Sequence, residues 1–171
     1  MEIPEFKFAV KEGLDESFLP VRGDSHSTGW DVRAAKDVVF YPTSLEMIPL
    51  GIRCFAPEGY WLELRPRSST FGKKELSSLY GVIDNNFEGE LLFACKWEPS
   101  LLQPHDEYLS SNDLVDYFYK ALTIKKGERI GQLVPVRRQE MFVTGITNEE
   151  FDTLCAQRGL KRGAGGFGST G

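Results

Sequence analysis

Gly81-Val82-Ile83-Asp84-Asn85-Asn86-Phe87-Glu88-Gly89 runs apolar into a polar turn, reaches a glycine and re-enters an apolar run at Leu91-Leu92-Phe93-Ala94. Apolar residues flanking an Asp-Asn-Asn turn form the pattern of a β-hairpin. Asp84 is the acid at the mouth of that turn, directly after the β-branched pair Val82-Ile83. A carboxylate held there can take a proton from a bound water. Asp is also an ordinary turn residue, so the stretch alone leaves both readings open.

On either side the chain reads as strands. Residues 5–10, 27–35, 38–41, 46–55, 60–65 and 128–136 alternate or run apolar, and Pro42, Pro57-Glu58-Gly59 and Pro49-Leu50-Gly51 supply turns and a bend. Pro20 to Asp24 reads as loop, and the polar stretch that follows Pro66-Arg67-Ser68-Ser69-Thr70 and runs to Ser78 has room for a short helix. Turn signals recur about every ten residues, the rhythm of an all-β barrel or jelly roll. Residues 98–123 break it. Ser111-Asn112-Asp113 can cap a helix carrying Leu114, Val115, Phe118 and Leu122 on one face, so this segment reads as a helical insertion. Thr147-Asn148-Glu149-Glu150 has the form of a capping box opening a second helix. The last ten residues, Arg162 to Gly171, include five glycines and do not order themselves. The expected organisation is one β domain over 1–161, with the insertion at 98–123, and a glycine-rich arm over 162–171.

The 171 residues carry a net charge of −5, which argues against a broad nucleic-acid-binding surface. No apolar run approaches a membrane span, and the acidic start is no signal peptide. Three well-separated cysteines, Cys54, Cys95 and Cys155, suit a reducing compartment such as the cytoplasm. Two histidines and no paired cysteines argue against a structural zinc site.

Several short stretches share one chemistry. The arm combines an arginine, a phenylalanine and a Ser-Thr pair among glycines, the inventory of a lid over a nucleoside phosphate. Arg67 and Ser68 come directly after a strand and suit phosphate oxygens, as does Gln132 from another strand. Asp31 suits a water on a magnesium ion that those phosphates carry. The Gly-x4-Gly-Lys-Ser/Thr pattern of a P-loop is absent.

In order, these stretches resemble the five motifs of the trimeric dUTP pyrophosphatases (dUTPases). Thr28-Gly29-Trp30-Asp31-Val32 is similar to the first, Pro66-Arg67-Ser68-Ser69 to the second, and Gly81 through Glu90 to the third. Gly127 through Leu133 is similar to the fourth, and Arg162 through Gly171 to the fifth almost letter for letter. The resemblance implies a β-clip or distorted jelly-roll subunit of a homotrimer with three shared sites. It implies hydrolysis of dUTP to dUMP and pyrophosphate, with Asp84 activating the water that attacks the α-phosphorus. By the same resemblance Arg67, Ser68, Ser69 and Gln132 bind the triphosphate, and Asp31 holds a water of the Mg2+ ion. Backbone groups at Gly81 and Ile83 read the uracil edge, and Phe87 packs on the deoxyribose. Arg162, Ser169 and Thr170 close over the γ-phosphate, Gly168 is a further substrate contact, and Phe167 covers the uracil.

The chain departs from the pattern in having Phe87 where tyrosine is usual, Asn86 where Asp is frequent, and about two residues fewer between Ser68 and Asp84. Two rivals remain. A dCTP deaminase of the same fold needs a glutamate ten residues after Asp84, where this chain has Ala94. A dUTP-responsive regulatory protein would meet a protein partner through 98–123.

Overall fold

A computed structural model of the chain describes residues 3–100, 115 and 117–159. In chain order the described strands are β1 (Lys7–Val10), β2 (Val21–Arg22), β3 (Trp30–Arg33), β4 (Val38–Phe40), β5 (Leu45–Pro49), β6 (Ile52–Phe55), β7 (Tyr60–Pro66), β8 (Leu76–Ser78), β9 (Gly81–Ile83), β10 (Leu92–Trp97), β11 (Leu122–Ile124) and β12 (Arg129–Arg137). A five-residue helix, α1 (Ser68–Gly72), comes after β7, and α2 (Asn148–Gln157) after β12. The all-β expectation holds.

The strands form four antiparallel sheets: β1-β6, β5-β10-β8, β4-β11 and the five-stranded β2-β3-β12-β7-β9. Each sheet turns one face inward. Val32 from β3, Leu62 and Leu64 from β7, Ile130 and Leu133 from β12, Phe93 from β10 and Phe40 from β4 meet in one buried cluster. The alternation of the sequence is thus real: along β7, Leu62 and Leu64 point in while Arg65 stays exposed. The bend expected near Gly51 separates β5 from β6, with Gly51 at φ +67°.

Three expectations are corrected. The stretch 81–94 is not a paired hairpin: β9 lies on β7 in the five-stranded sheet, whereas β10 lies between β5 and β8. The turn instead carries the chain from one sheet to another. Phe87 N–H donates to the Asp84 carbonyl at 3.0 Å and closes it. Second, Leu122 is no helix residue. It opens β11, opposite Phe40, so the scaffold resumes at 122 rather than after 123. Val115 and Tyr117 to Tyr119 are helical, but Tyr117 is the buried ring there, while Val115 and Phe118 are exposed. Ser111, Asn112, Asp113 and Leu114 lie outside the described residues. Third, part of the expected loop 20–24 is β2, two residues paired to Asp31 and Trp30.

The chain divides into two compact units, Met1–Arg138 and Gln139–Gly171, where the sequence suggested a boundary at 161/162. That later boundary lies outside the described residues. Within the second unit α2 has the expected capping box. Thr147 Oγ1 accepts from Glu150 N–H at 3.1 Å, and the Glu150 carboxylate accepts from Thr147 N–H at 2.7 Å. No helix among the described residues is long and apolar enough to cross a membrane.

Candidate functional site

Asp31 lies in β3 opposite Gln132 of β12, on the outward side of the five-stranded sheet. It is only 7% exposed, and two guanidiniums hold it. Arg67 Nε forms an ion pair with Oδ1 at 3.0 Å, and Arg129 Nη1 donates a hydrogen bond to Oδ2 at 3.1 Å. A buried carboxylate without such partners would be strongly disfavoured. Asp31 is therefore a buried group paired on both oxygens and not a solvent-facing turn acid.

Arg67 is set by the helix it leads into. Its extended backbone (φ −79°, ψ 153°) caps α1, and Thr70 on that helix is fully buried. Thr70 Oγ1 donates to the Ile130 carbonyl at 2.6 Å, pinning α1 to β12 beside Arg129. The residue at the start of this helix thus cannot drift relative to the strand that carries Gln132. Ser68 is exposed and Ser69 half-buried in the first turn.

Gln132 is held by a hydrogen bond on one side and given room on the other. Its Nε2 donates to the Pro66 carbonyl at 3.0 Å, next to Arg67. On the other side Gly29 leaves it room: a Cβ there would fall 2.1 Å from the Gln132 side-chain oxygen. The loop before Gly29 is tied by its own groups. Asp24 accepts from the backbone N–H of His26 and of Ser27, both at 2.7 Å, which holds its carboxyl below the usual range. Arg22 donates to the Ser27 carbonyl through Nε at 2.8 Å.

The turn after β9 stands apart from this cluster. Asp84 is exposed, and no side chain among the described residues bonds its carboxylate. Phe87 is 44% exposed, and its ring lies over Gly89, where a Cβ would come within 2.6 Å of the ring carbon Cζ. Asn85, Asn86, Phe87 and Glu88 form one wall of an open concavity of about 460 Å³, with β1 and β6 as the other wall. Gly81 and Ile83 lie opposite Leu64 and Leu62 of β7.

Arg65, beside Gln132 in the ladder, is three residues from Leu62, and Asp84 is one residue beyond Ile83. Strands lie about 4.8 Å apart and rise about 3.3 Å per residue, so three strand steps and four residues put Asp31 and Asp84 about 20 Å apart in one chain. The structure thus brings together Asp31, Arg67, Gln132 and, by adjacency, Ser68 and Ser69. It places Gly81 and Ile83 elsewhere on the same sheet, in β9, and Asp84 and Phe87 in the turn after it. Arg162, Phe167, Gly168, Ser169 and Thr170 lie outside the described residues.

Two acids that could replace a deaminase glutamate, Glu90 and Glu98, are occupied. Glu90 accepts from Lys11 Nζ and from Gly51 N–H, each at 3.0 Å. Glu98 accepts from Ser77 Oγ at 2.7 Å and Lys96 Nζ at 2.9 Å. Ala94 sits in β10. Neither acid stands in for the glutamate a deaminase would place there. Burial pushes the Cys54 and Cys95 thiols up to about 11 and about 12, so neither is a thiolate nucleophile at neutral pH.

Sequence reasoning missed Arg129 and Thr70. Thr70 carries no signal beyond its place after Ser68-Ser69. Arg129 lies within the stretch similar to the fourth motif, but its residue type and position there give no sign that it faces Asp31.

Comparison with known proteins gives the same reading. The dUTPase family model matches residues 15–96. The deoxyuridine 5'-triphosphate nucleotidohydrolase of Bdellovibrio bacteriovorus is 34% identical over 172 residues, spanning 96% of this chain and 97% of that protein. The dUTPase of Staphylococcus bacteriophage 80alpha, solved with dUPNHPP, superposes with a TM-score of 0.73 at 26% identity, covering 98% of both chains. A dUTPase from phage phi11 of S. aureus, whose structure details the coordination of a structural Mg(II) ion, shares the fold at 23% identity and a TM-score of 0.66, covering 83% of this chain and 96% of that one. The strand arrangement is accordingly the β-clip. Given the ordered motif stretches, the shared strand framework and a relative matched along nearly its whole length, this chain belongs to the dUTPase family.

Proposed function

We propose that the chain hydrolyses dUTP to dUMP and pyrophosphate by water attack on the α-phosphorus, in a homotrimer whose sites are shared between subunits. The observation that carries this reading is the Asp31–Arg67–Gln132 cluster, in which a planar guanidinium, an amide and a serine-bearing helix start crowd one spot on an outward sheet face. Phosphoryl chemistry asks mainly for positioning and charge neutralisation, and these groups supply both.

Arg67, Ser68, Ser69 and Gln132 bind the triphosphate. Asp84 takes the proton of the attacking water. Backbone groups at Gly81 and Ile83 read the uracil edge, and the Phe87 ring, resting over Gly89, packs on the deoxyribose where a 2′-hydroxyl would clash. Arg162, Ser169 and Thr170 close over the γ-phosphate, Gly168 is a further substrate contact, and Phe167 lies over the base. The separation of about 20 Å between Asp31 and Asp84 within one chain supports a site completed by other copies.

The donor set suits magnesium carried by substrate. Among the described residues no group of three or more His, Cys, Asp or Glu comes together. Mg2+ commonly takes one or two carboxylates, several waters and the substrate's phosphates. Asp31 would hold one of its waters, and the ion would neutralise phosphate charge. Incubation with each nucleoside triphosphate and magnesium, read as released pyrophosphate, tests the assignment. Release from dUTP far above that from dTTP, dCTP and UTP is expected; equal release from all four would overturn it.

A further inference from the structure

Arg129 should not face Asp31. In a regular antiparallel strand, residues 129 and 132 point to opposite faces. Gln132 shares the outward side with Asp31, so Arg129 would be driven toward the core. The ladder between β12 and β3 breaks its register here: Gln132 and Gly131 oppose Asp31 and Val32, but Arg129, not Ile130, opposes Arg33. This bulge turns Ile130 fully inward, where it is 0% exposed, and swings Arg129 outward onto Asp31. Bulges of this kind re-aim side chains beside functional sites.

The consequence concerns the other arginine. Arg67 faces Asp31 with Nε, as an ion pair at 3.0 Å to Oδ1. Its Nη groups form the edge of the fork that grips phosphate bidentately. Where that edge points depends on the plane of the Asp31 carboxylate. A carboxylate ion-paired with Arg67 alone would leave its plane free to rotate, and the pair would swing together. Arg129 on the second oxygen removes that freedom.

We propose that Arg129 is a positioning residue: through Asp31 it fixes the plane of the Arg67 guanidinium and so presents the Nη edge to the substrate's phosphates. This rests on the triphosphate reading of the site. It assigns Arg129 no contact with substrate.

The test is a binding series on the full chain with magnesium. Wild-type titration with a non-hydrolysable dUTP analogue comes first and probes the triphosphate reading by itself; a chain that does not bind overturns that reading and this proposal together. With Arg129→Gln, affinity for the analogue is expected to fall about tenfold or more, in line with the loss of a partner that orients a ligand-binding group. Affinity for deoxyuridine, which carries no phosphate, stays within about twofold of wild type because the base contacts do not involve Arg129. Arg129→Lys keeps a cation that can reach one oxygen but lacks the planar fork, so a loss of roughly threefold is expected. If Arg129→Gln does not fold, the lysine variant decides alone on the same comparison. Unchanged analogue affinity in the folded variants overturns the proposal. An equal loss for analogue and deoxyuridine also overturns it, because it would make Arg129 a general support of the fold.

Discussion

Asp84→Asn is expected to lower the rate of dUTP hydrolysis by about 10²–10⁴-fold, the usual cost of losing a general base, with binding of a non-hydrolysable dUTP analogue retained. The amide keeps the size and most of the polarity of the carboxylate but cannot take the proton. The turn around it survives the change, since the bond that closes it runs from Phe87 N–H to the backbone carbonyl of residue 84. The nearby Glu90 is held by Lys11 and Gly51 and cannot take over. Single-turnover kinetics beside equilibrium binding separate the two effects. Turnover near the wild-type rate would remove Asp84 from its role.

Removal of residues 162–171 is expected to leave the fold intact and nearly abolish hydrolysis. The removed segment is half glycine and carries a single large apolar side chain, Phe167, so it adds little to any core. Its Arg162, Ser169 and Thr170 supply bonds to charged phosphates. Bonds of that kind are worth roughly 1.5–3 kcal/mol each, so two that tighten in the transition state account for about a hundredfold or more in rate. Thermal unfolding should be little changed while kcat/KM collapses. Mixing truncated subunits with full-length Asp84→Asn subunits should restore some activity, because a mixed trimer can combine one intact turn with one intact arm. Demonstrated subunit exchange without any return of activity would show that the arm does not act across subunits.

Local pattern was enough for most elements. Alternation in 60–65 and 128–136 located β7 and β12, Pro42 stopped β4, and Thr147 with Glu150 announced α2. What failed was non-local. Nothing in 81–94 tells β9 that its partner is β7 and β10 that its partners are β5 and β8, because turn composition is the same for a hairpin and for a crossing between sheets. Leu122 satisfied a helical period by coincidence: β11 is three residues long, too short to display alternation of its own. In the site, Asp31, Arg67 and Gln132 were legible because residue type and order carry their chemistry. Arg129 was not, because its direction depends on a bulge, and strict period-two reading turns it away from Gln132. Thr70 shows the same limit, since its value lies in a bond to Ile130 sixty residues away.

The central claim is that water attacks the α-phosphorus of dUTP at this site. Hydrolysis in water enriched in oxygen-18, with the products separated and weighed by mass spectrometry, tests it most directly. The account predicts one labelled oxygen in dUMP and none in pyrophosphate, with the label gained at the Asp84-dependent rate. Label in the pyrophosphate, or in free phosphate released from the γ-position, would contradict it.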